Sequence, residues 1–382
     1  MVKGVYLTLL IGPGVPVPAP KSVVDSLTSV QVNTGGERTG FQLIFSVNKK
    51  STLRQTLLPA GFFDPIVTRV ILVCTLGGIP NVLVDGIVTR QEVAPNNAAG
   101  QSTLTITGED VSVMMDILDM PFMRYPCMDV SSRIAVMLAK YALYGVVPLV
   151  IPPLFQDLPT PTEKIPTQTG TDKKPGGTDL AYIKKLAQDC GYVFYIEPGP
   201  LPGANLAYFG PDIRIPIPQP ALNVNMDANT NVESLTFSLD GLAKKVTVLT
   251  IMDPFTHKIP IPIPVPNISL LRPPLGARLT PPAKIEFPDD GGNKTMADAL
   301  ALVLGKTAAT SDAVTASGTL STLRYGRILK ARQLVGVRGG GLAYDGLYYV
   351  RTVTHSIKRG EYKQNFTLSR DGLISLTPKV VV

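Results

Sequence analysis

The stretch Thr178 to Glu197, TDLAYIKKLAQDCGYVFYIE, reads as a capped amphipathic helix closed by a glycine that leads into a strand. Thr178 or Asp179 supplies the side-chain oxygen that an unsatisfied first-turn N–H requires. Leu180, Ile183, Leu186, Ala187 and Cys190 recur at helical spacing and make one apolar face. Gly191 stands where a left-handed residue ends a helix. Tyr192 to Ile196 then have the β-branched and aromatic character of a strand. The unit predicts a small packed αβ element, and nothing in it does chemistry.

Around this unit the pattern stays α+β. Glu109 to Leu118 reads as a short helix with Glu109 and Asp110 in its first turn, where the dipole favours acids. The two are not read as catalytic carboxylates, because adjacent helical residues point different ways. Asp129 or Ser131 opens a further helix with the stripe Ile134, Leu138, Tyr141 and Ala142, and Gly145 ends it. Residues 152–177, rich in Pro, Thr, Lys and Gly, read as a long exposed linker. A small α+β domain is therefore expected over residues 108–230.

On both sides of it the sequence is β. Val2 to Gly12 is short for a signal peptide, lacks a small-residue cleavage pattern and reads as a first strand. Val23–Val32, Gly40–Val47, Ile66–Cys74, Val82–Val88 and Leu104–Thr107 continue it around the turns at Asn33–Glu37 and Gly77–Asn81. Residues 1–107 thus predict a first antiparallel β-barrel or sandwich domain. Residues 231–382 predict a second. Leu235, Phe237 and Leu239 alternate with polar residues, and Val246–Ile251 continues the pattern after a turn at Gly241. Leu323–Val337, Leu347–Ile357 and Tyr362–Ser369 follow as strands. Thr295 caps a helical excursion near 295–308. Its end, Gly305-Lys306-Thr307, is no phosphate loop, because Leu300 occupies the position of the first required glycine. The alternating Ile and Pro of 213–218 and 259–266 read as polyproline or edge segments that lie against this chain or a neighbour.

The chain has 382 residues, 45% of them hydrophobic, which suggests two or three domains with a large core. Only 17% are charged, below the roughly 25% of ordinary soluble domains, so much of the surface is expected to lie against partners. No run reaches the ~18 apolar residues of a membrane helix, so no membrane insertion is expected. Cys74, Cys127 and Cys190 are too scattered for a disulfide framework or a zinc site, and two histidines build no metal centre. No catalytic, cofactor-binding or metal-binding residues are assigned, and no enzymatic activity is expected.

From Leu320 onward eleven Lys and Arg stand against three acids, so the net +7 of the chain lies in this block. Arg324, Arg327, Lys330, Arg332, Arg351, His355 and Arg359 are the candidate interface residues. Such a block meets an acidic partner or nucleic acid, or it is a set of solvated strand faces. His355 alternates within a strand and reads as a structural or interface histidine.

Two stretches carry a resemblance. The 178–197 unit, Tyr348-Tyr-Val-Arg-Thr-Val-Thr-His-Ser-Ile357 with Arg359-Gly-Glu-Tyr-Lys-Gln-Asn-Phe-Thr-Leu368, and Arg370-Asp-Gly372 resemble the baseplate hub family of contractile tails. That family includes phage late control D proteins, the T4-type hub and the N-terminal half of valine-glycine repeat spike proteins. The order of β domain, α+β insertion and β domain is similar too. The resemblance implies two tail-tube-like barrels per chain and a homotrimer that presents six such modules. It implies an adaptor between a hexameric tail tube and a separate trimeric spike, among other baseplate components. Assembly in the bacterial cytoplasm into a phage tail or injection-system particle is implied, with nucleic acid only as passing cargo. A tail-associated wall hydrolase, a tail-tip protein of a flexible-tailed phage and a carbohydrate-binding module are the competing readings. The hydrolase lacks a positioned acid, base or nucleophile, and the carbohydrate module lacks tryptophan. The tube reading requires the two β domains to be look-alikes.

Overall fold

The computed structural model describes residues 4–96, 102–119, 125, 128–153, 177–214, 218–252, 260–264, 273–286 and 312–376. The fold is mainly β. The first module comprises β1 (Val5–Pro13), β2 (Val17–Pro18), helix α1 (Lys21–Ser26), β3 (Leu27–Thr34), β4 (Gly40–Ser46), β5 (Thr68–Leu76), β6 (Ile79–Ala94) and β7 (Thr103–Asp110). Val30, Val32, Phe41, Leu43, Phe45, Leu72, Val84 and Ile106 fill its core. Alternation along β4 and β7 places every second residue inward, as a sheet with one packed face demands.

The insertion holds helices α2 (Val130–Ala139) and α3 (Asp179–Asp189) on the strands β8 (Val146–Val150), β9 (Val193–Pro198) and β10 (Asn205–Gly210), in the order β8-β10-β9. The Thr178 side chain accepts from the Ala181 amide at 3.3 Å as the N-cap of α3, and Gly191 takes φ +67° at its end. Leu180, Ile183 and Ala187 are buried against Ile134, Leu138 and Phe209.

The second module comprises β11 (Gln219–Asn223), β12 (Val232–Leu239), β13 (Lys245–Met252), β14 (Pro260–Pro264), β15 (Gly276–Leu279), β16 (Lys284–Glu286), β17 (Val314–Ser321), helix α4 (Thr322–Tyr325), β18 (Leu334–Arg338), β19 (Gly346–Lys358), β20 (Glu361–Arg370) and β21 (Gly372–Ser375). Its core gathers Leu222, Val232, Leu320, Val337, Tyr348, Val350, Phe366 and Leu368.

A single sheet runs through both modules in the order β12-β17-β20-β19-β3-β4-β7-β6-β5-β1-β2, with β18 beside β19 and β11 beside β18. Across the first module the order is β1-β5-β6-β7-β4-β3, and across the second it is β11-β18-β19-β20-β17-β12. Taken in chain order within each module, the strands occupy the same places. All equivalent neighbours are antiparallel except one pair: β1 lies antiparallel to β5, whereas β11 lies parallel to β18.

Several expectations need correction. Glu109 and Asp110 end β7 instead of starting a helix, and a 3-10 turn follows over Val111–Met115 with Asp110 capping the Ser112 amide at 2.9 Å. Glu109 instead pairs with Arg38 at 2.8 Å. Residues 21–26 are helical, so only the second half of Val23–Val32 is strand. Residues 322–325 form α4, ended by Gly326 at φ +77°, within a stretch expected to be extended. β13 does not continue the sheet of β12 but pairs with β14 and β16. β14 is the edge strand that the Ile-Pro run suggested. β11 pairs with β18 although it precedes position 231. The helical excursion at 295–308, most of the linker and Cys127 lie outside the described residues.

Candidate interaction surface

The modules meet where β3 lies antiparallel to β19, with Val353 opposite Thr34, Thr354 opposite Asn33, His355 opposite Val32, Ser356 opposite Gln31 and Ile357 opposite Val30. Val30, Val32, Val353 and His355 are at most 2% exposed. Gly35, at φ +88°, turns the chain directly under this seam, and a Cβ there would stand 2.1 Å from the Arg351 carbonyl oxygen. The Thr34 hydroxyl donates to the Val353 carbonyl at 3.1 Å.

His355 is a core residue of the seam, not a partner-facing one as the sequence reading allowed. Its Nδ1 lies 2.8 Å from the Tyr362 hydroxyl and 3.3 Å from the Gln364 amide nitrogen, so two donors converge on it and favour the Nε2–H tautomer. Burial pushes the imidazole down to about 4 and the Tyr362 phenol well above its ordinary range.

Two buried ion-pair groups lock the insertion and the second module in place. Arg69 clamps Asp85 through two bonds of 2.7 Å and donates to the Tyr144 and Gly203 carbonyls of the insertion. Asp312 accepts from Arg214 at 2.8 Å, Arg351 at 3.0 Å and Ser369 at 2.7 Å. Burial opposes the Asp312 charge, but Arg214, Ser369 and Arg351 together hold its carboxyl well below the usual carboxylate range. A cleft of about 540 Å³ opens between the modules and the insertion, lined by Tyr195, Asp212, Arg214, Arg332, Tyr349 and Arg351 among others. Arg332 crosses it, bonding Glu197 at 2.6 Å and the Gly36 carbonyl at 2.7 Å while its guanidinium covers the Tyr195 ring.

The basic block therefore does not form one surface. Arg332 and Arg351 serve the internal pairs just described. Lys363 joins Glu233 and Glu361, and Arg370 is wholly buried, donating to the carbonyls of Gly372, Asp345 and Ala343. Arg324, Arg327 and Lys330 are exposed around α4, and exposed Arg359 donates to the Asp25 carbonyl at the tip of the β19–β20 hairpin. An apolar cavity of about 310 Å³ lined by Val24, Leu27, Leu323, Ile357 and Tyr362 lies beside that tip. Sequence reasoning placed these cations in one group because it could not see the acids and carbonyls that claim half of them.

Among the open edges of the described strands are those of β12 and of the far end of β6, and no sequence signal had pointed to either. β12 pairs with β17 on one side only, and β6 pairs with β5 no further than Ile87 while its other side follows β7 to Ala94. Among the described residues no strand covers the free side of either edge. An open edge offers a row of backbone donors and acceptors to another chain, so the chemistry available here is strand addition. Among the described residues no cluster of His, Cys, Asp and Glu is arranged to hold a metal, and no helix is long and apolar enough to cross a membrane.

No protein-family model matches the sequence, and no curated protein matches it. Solved structures do. The chain is similar to a tail protein from Neisseria meningitidis MC58, with TM-score 0.64 and 14% identity over 97% of this chain and 98% of that one. It is also similar to the 43 kDa tail protein of prophage MuSo2 from Shewanella oneidensis, with TM-score 0.57 and 14% identity over 96% and 98%. A chain of the PdpA-VgrG complex in its lidless form matches with TM-score 0.54 and 9% identity over 99% of this chain and 67% of that one. At these identities the likeness defines a fold, and the fold is that of phage tail proteins. The expectation drawn from 178–197 and 347–372 is met at that level.

Proposed function

We propose that the chain is a structural baseplate hub: a trimeric adaptor that joins a hexameric tail tube to a separate trimeric spike in a contractile tail or injection system. The observation that carries this reading is the paired architecture. Two modules with one strand order stand edge to edge in one sheet, so a single chain occupies two adjacent places of a β ring. Three such chains supply six places, which reconciles a sixfold partner with a threefold one. The likeness to tail proteins over nearly the whole chain supports the same reading. The spike and other baseplate components are its partners, and it catalyses nothing. The exposed cations Arg324, Arg327, Lys330 and Arg359 steer an acidic partner face toward the hub.

The test is the mass of the purified chain, alone and mixed with a candidate trimeric spike. A trimer that captures the spike supports the hub, and a stable monomer with no affinity for spike or tube overturns it. A salt series separates steering from apolar docking. Association that slows between about 50 and 500 mM salt supports the role of the cations, and salt-independent association removes it.

A further inference from the structure

The internal duplication extends to the defects in the strands, and these fix its register. In β6, Thr89 stands unpaired between Val88, opposite Gly108, and Arg90, opposite Thr107. In β19, Arg351 stands unpaired between Val350, opposite Leu368, and Thr352, opposite Thr367. In β3, Thr28 is the extra residue between Leu27, opposite Phe45, and Ser29, opposite Ile44. In β12, Glu233 is the extra residue between Val232, opposite Leu320, and Ser234, opposite Thr319. A bulge is a localised, specified feature, and a slip of one residue would displace both pairs at once. Thr89 therefore corresponds to Arg351, and Thr28 to Glu233.

Within this register β3 of the first module is the counterpart of β12, and β6 is the counterpart of β19. Since β3 pairs with β19 inside the chain, the equivalent pair is β12 with β6, and in one chain these two lie on opposite flanks of the duplicated array. We infer that β12 of one copy adds, antiparallel, to the open end of β6 in the next copy. Transferring the seam register places Leu239 opposite Gln91, Ser238 opposite Glu92, Phe237 opposite Val93 and Thr236 opposite Ala94. Only the number of copies in the ring rests on the hub reading given above. The strand pair and its register follow from the duplication.

Burial marks the same faces. His355 is 2% exposed and Val32 is fully buried, whereas their counterparts Val93 and Phe237 are exposed and part-exposed. Val353 is fully buried, and its counterpart Gln91 is not. Leu239 is 42% exposed. These are the positions that a neighbouring strand covers at the seam and that the described residues of this chain leave partly or fully exposed. Pro95 follows β6 in the place of Ile357 and cannot donate to a ladder, so the contact between copies is shorter than the seam within the chain. The contact is head-to-tail: each copy gives one edge and receives another, as ring closure requires.

Cysteine pairs in the full-length chain test the register. Glu92, Ser238, Ala94 and Thr236 are all exposed, so their substitution leaves the core intact. Under mild oxidation, the matched variants Glu92→Cys/Ser238→Cys and Ala94→Cys/Thr236→Cys are expected to give covalent dimers and trimers on a non-reducing gel. The slipped variant Glu92→Cys/Thr236→Cys should yield about tenfold less, since diagonal neighbours lie beyond disulfide reach. Each single-cysteine variant serves as the background for the native thiols. A chain that is trimeric by mass but links matched and slipped pairs equally, or not at all, overturns the strand pairing and leaves the hub reading standing. A chain that stays monomeric and links nothing overturns both.

Discussion

The two β modules share one strand order, with the first strand reversed in direction and the side chains exchanged. In the first module, the Phe41 ring lies over Gly86 and Gly108, so closely that a Cβ on either would stand 3.0 and 2.3 Å from it. The register makes Ala316, Tyr348 and Leu368 the counterparts of these residues, and all of those are buried. One module thus fills the space from β4 inward, and the other fills it from β19 and β20. Leu43 and Ile106 are exchanged in the same way for Gly318 and Phe366, where a Cβ on Gly318 would lie 2.8 Å from the Phe366 ring. Large and small residues trade places between facing strands, and no position in either set keeps its size. The duplication is therefore visible in strand order and bulges and absent from residue identity.

The largest expected effect tests this exchange. Phe41→Ala should destabilise the chain by about 4 kcal/mol in urea unfolding, because two glycines offer no side chain to collapse into the cavity. Leu368→Ala, at the counterpart of Gly108, should cost less, since Tyr348 and Phe366 remain on either side. A Phe41→Ala loss below about 1 kcal/mol would show that the first core is not organised around that ring.

The modules also differ in buried charge. Ahead of β17, Asp312 is buried with Arg214, Arg351 and Ser369, whereas Glu37, which holds the equivalent place ahead of β4, has a side chain 91% exposed and reaches only Lys184 at 3.2 Å. Asp312→Asn should cost about 3 kcal/mol, because it leaves the buried Arg214 guanidinium with only the more distant Asp212 at 3.8 Å. Glu37→Gln should cost no more than about 0.5 kcal/mol, as exposed pairs do. Equal losses in thermal unfolding would remove the distinction between the two places.

How much of this was legible follows from where the information sits. The 178–197 unit and the β19–β20 hairpin are local: a cap, a period and a turn lie within some twenty residues of one another, and they form as read. The β16 partner of β13 is not local, since Lys245 pairs with Lys284, and the apolar pattern of β13 fits either sheet. α1 and α4 were missed because six and four residues are too few to show a helical period. The basic block misled because Arg332 meets Glu197, Arg351 meets Asp312 and Arg370 meets three carbonyls, none of which spacing reveals. The duplication was expected only from resemblance, since the exchanges at Phe41 and Leu43 erase it from the sequence.

His355 and its counterpart Val93 separate a closed seam from an open edge. The unfolded imidazole titrates near 6.5 and the folded one at about 4, so between those values the unfolded chain binds more protons. Stability is full above pH 6.5 and falls as pH drops toward 4, by about 3 kcal/mol over the window. Asp110 works in the opposite sense, because burial raises its carboxyl even though the Ser112 and Thr39 amides bond it. The difference between the wild type and His355→Leu therefore isolates the histidine. The variant should lose less stability than the wild type from pH 7 to pH 4.5 in urea unfolding, and parallel curves would refute the neutral buried imidazole.

At Val93 the same strand position is unburied, so the smallest effect on stability should accompany a large effect on assembly. Val93→Lys changes an exposed residue on an open edge and should alter the unfolding free energy of the isolated chain by no more than about 0.5 kcal/mol. A lysine on an edge opposes strand addition, because its charge would be buried opposite Phe237 of the neighbouring copy. Sedimentation of the variant should shift from trimer toward monomer at concentrations where the wild type stays assembled. The reverse outcome, a destabilised monomer with unchanged assembly, would mean that this end of β6 is already covered within its own chain and that the duplication does not extend to how copies join.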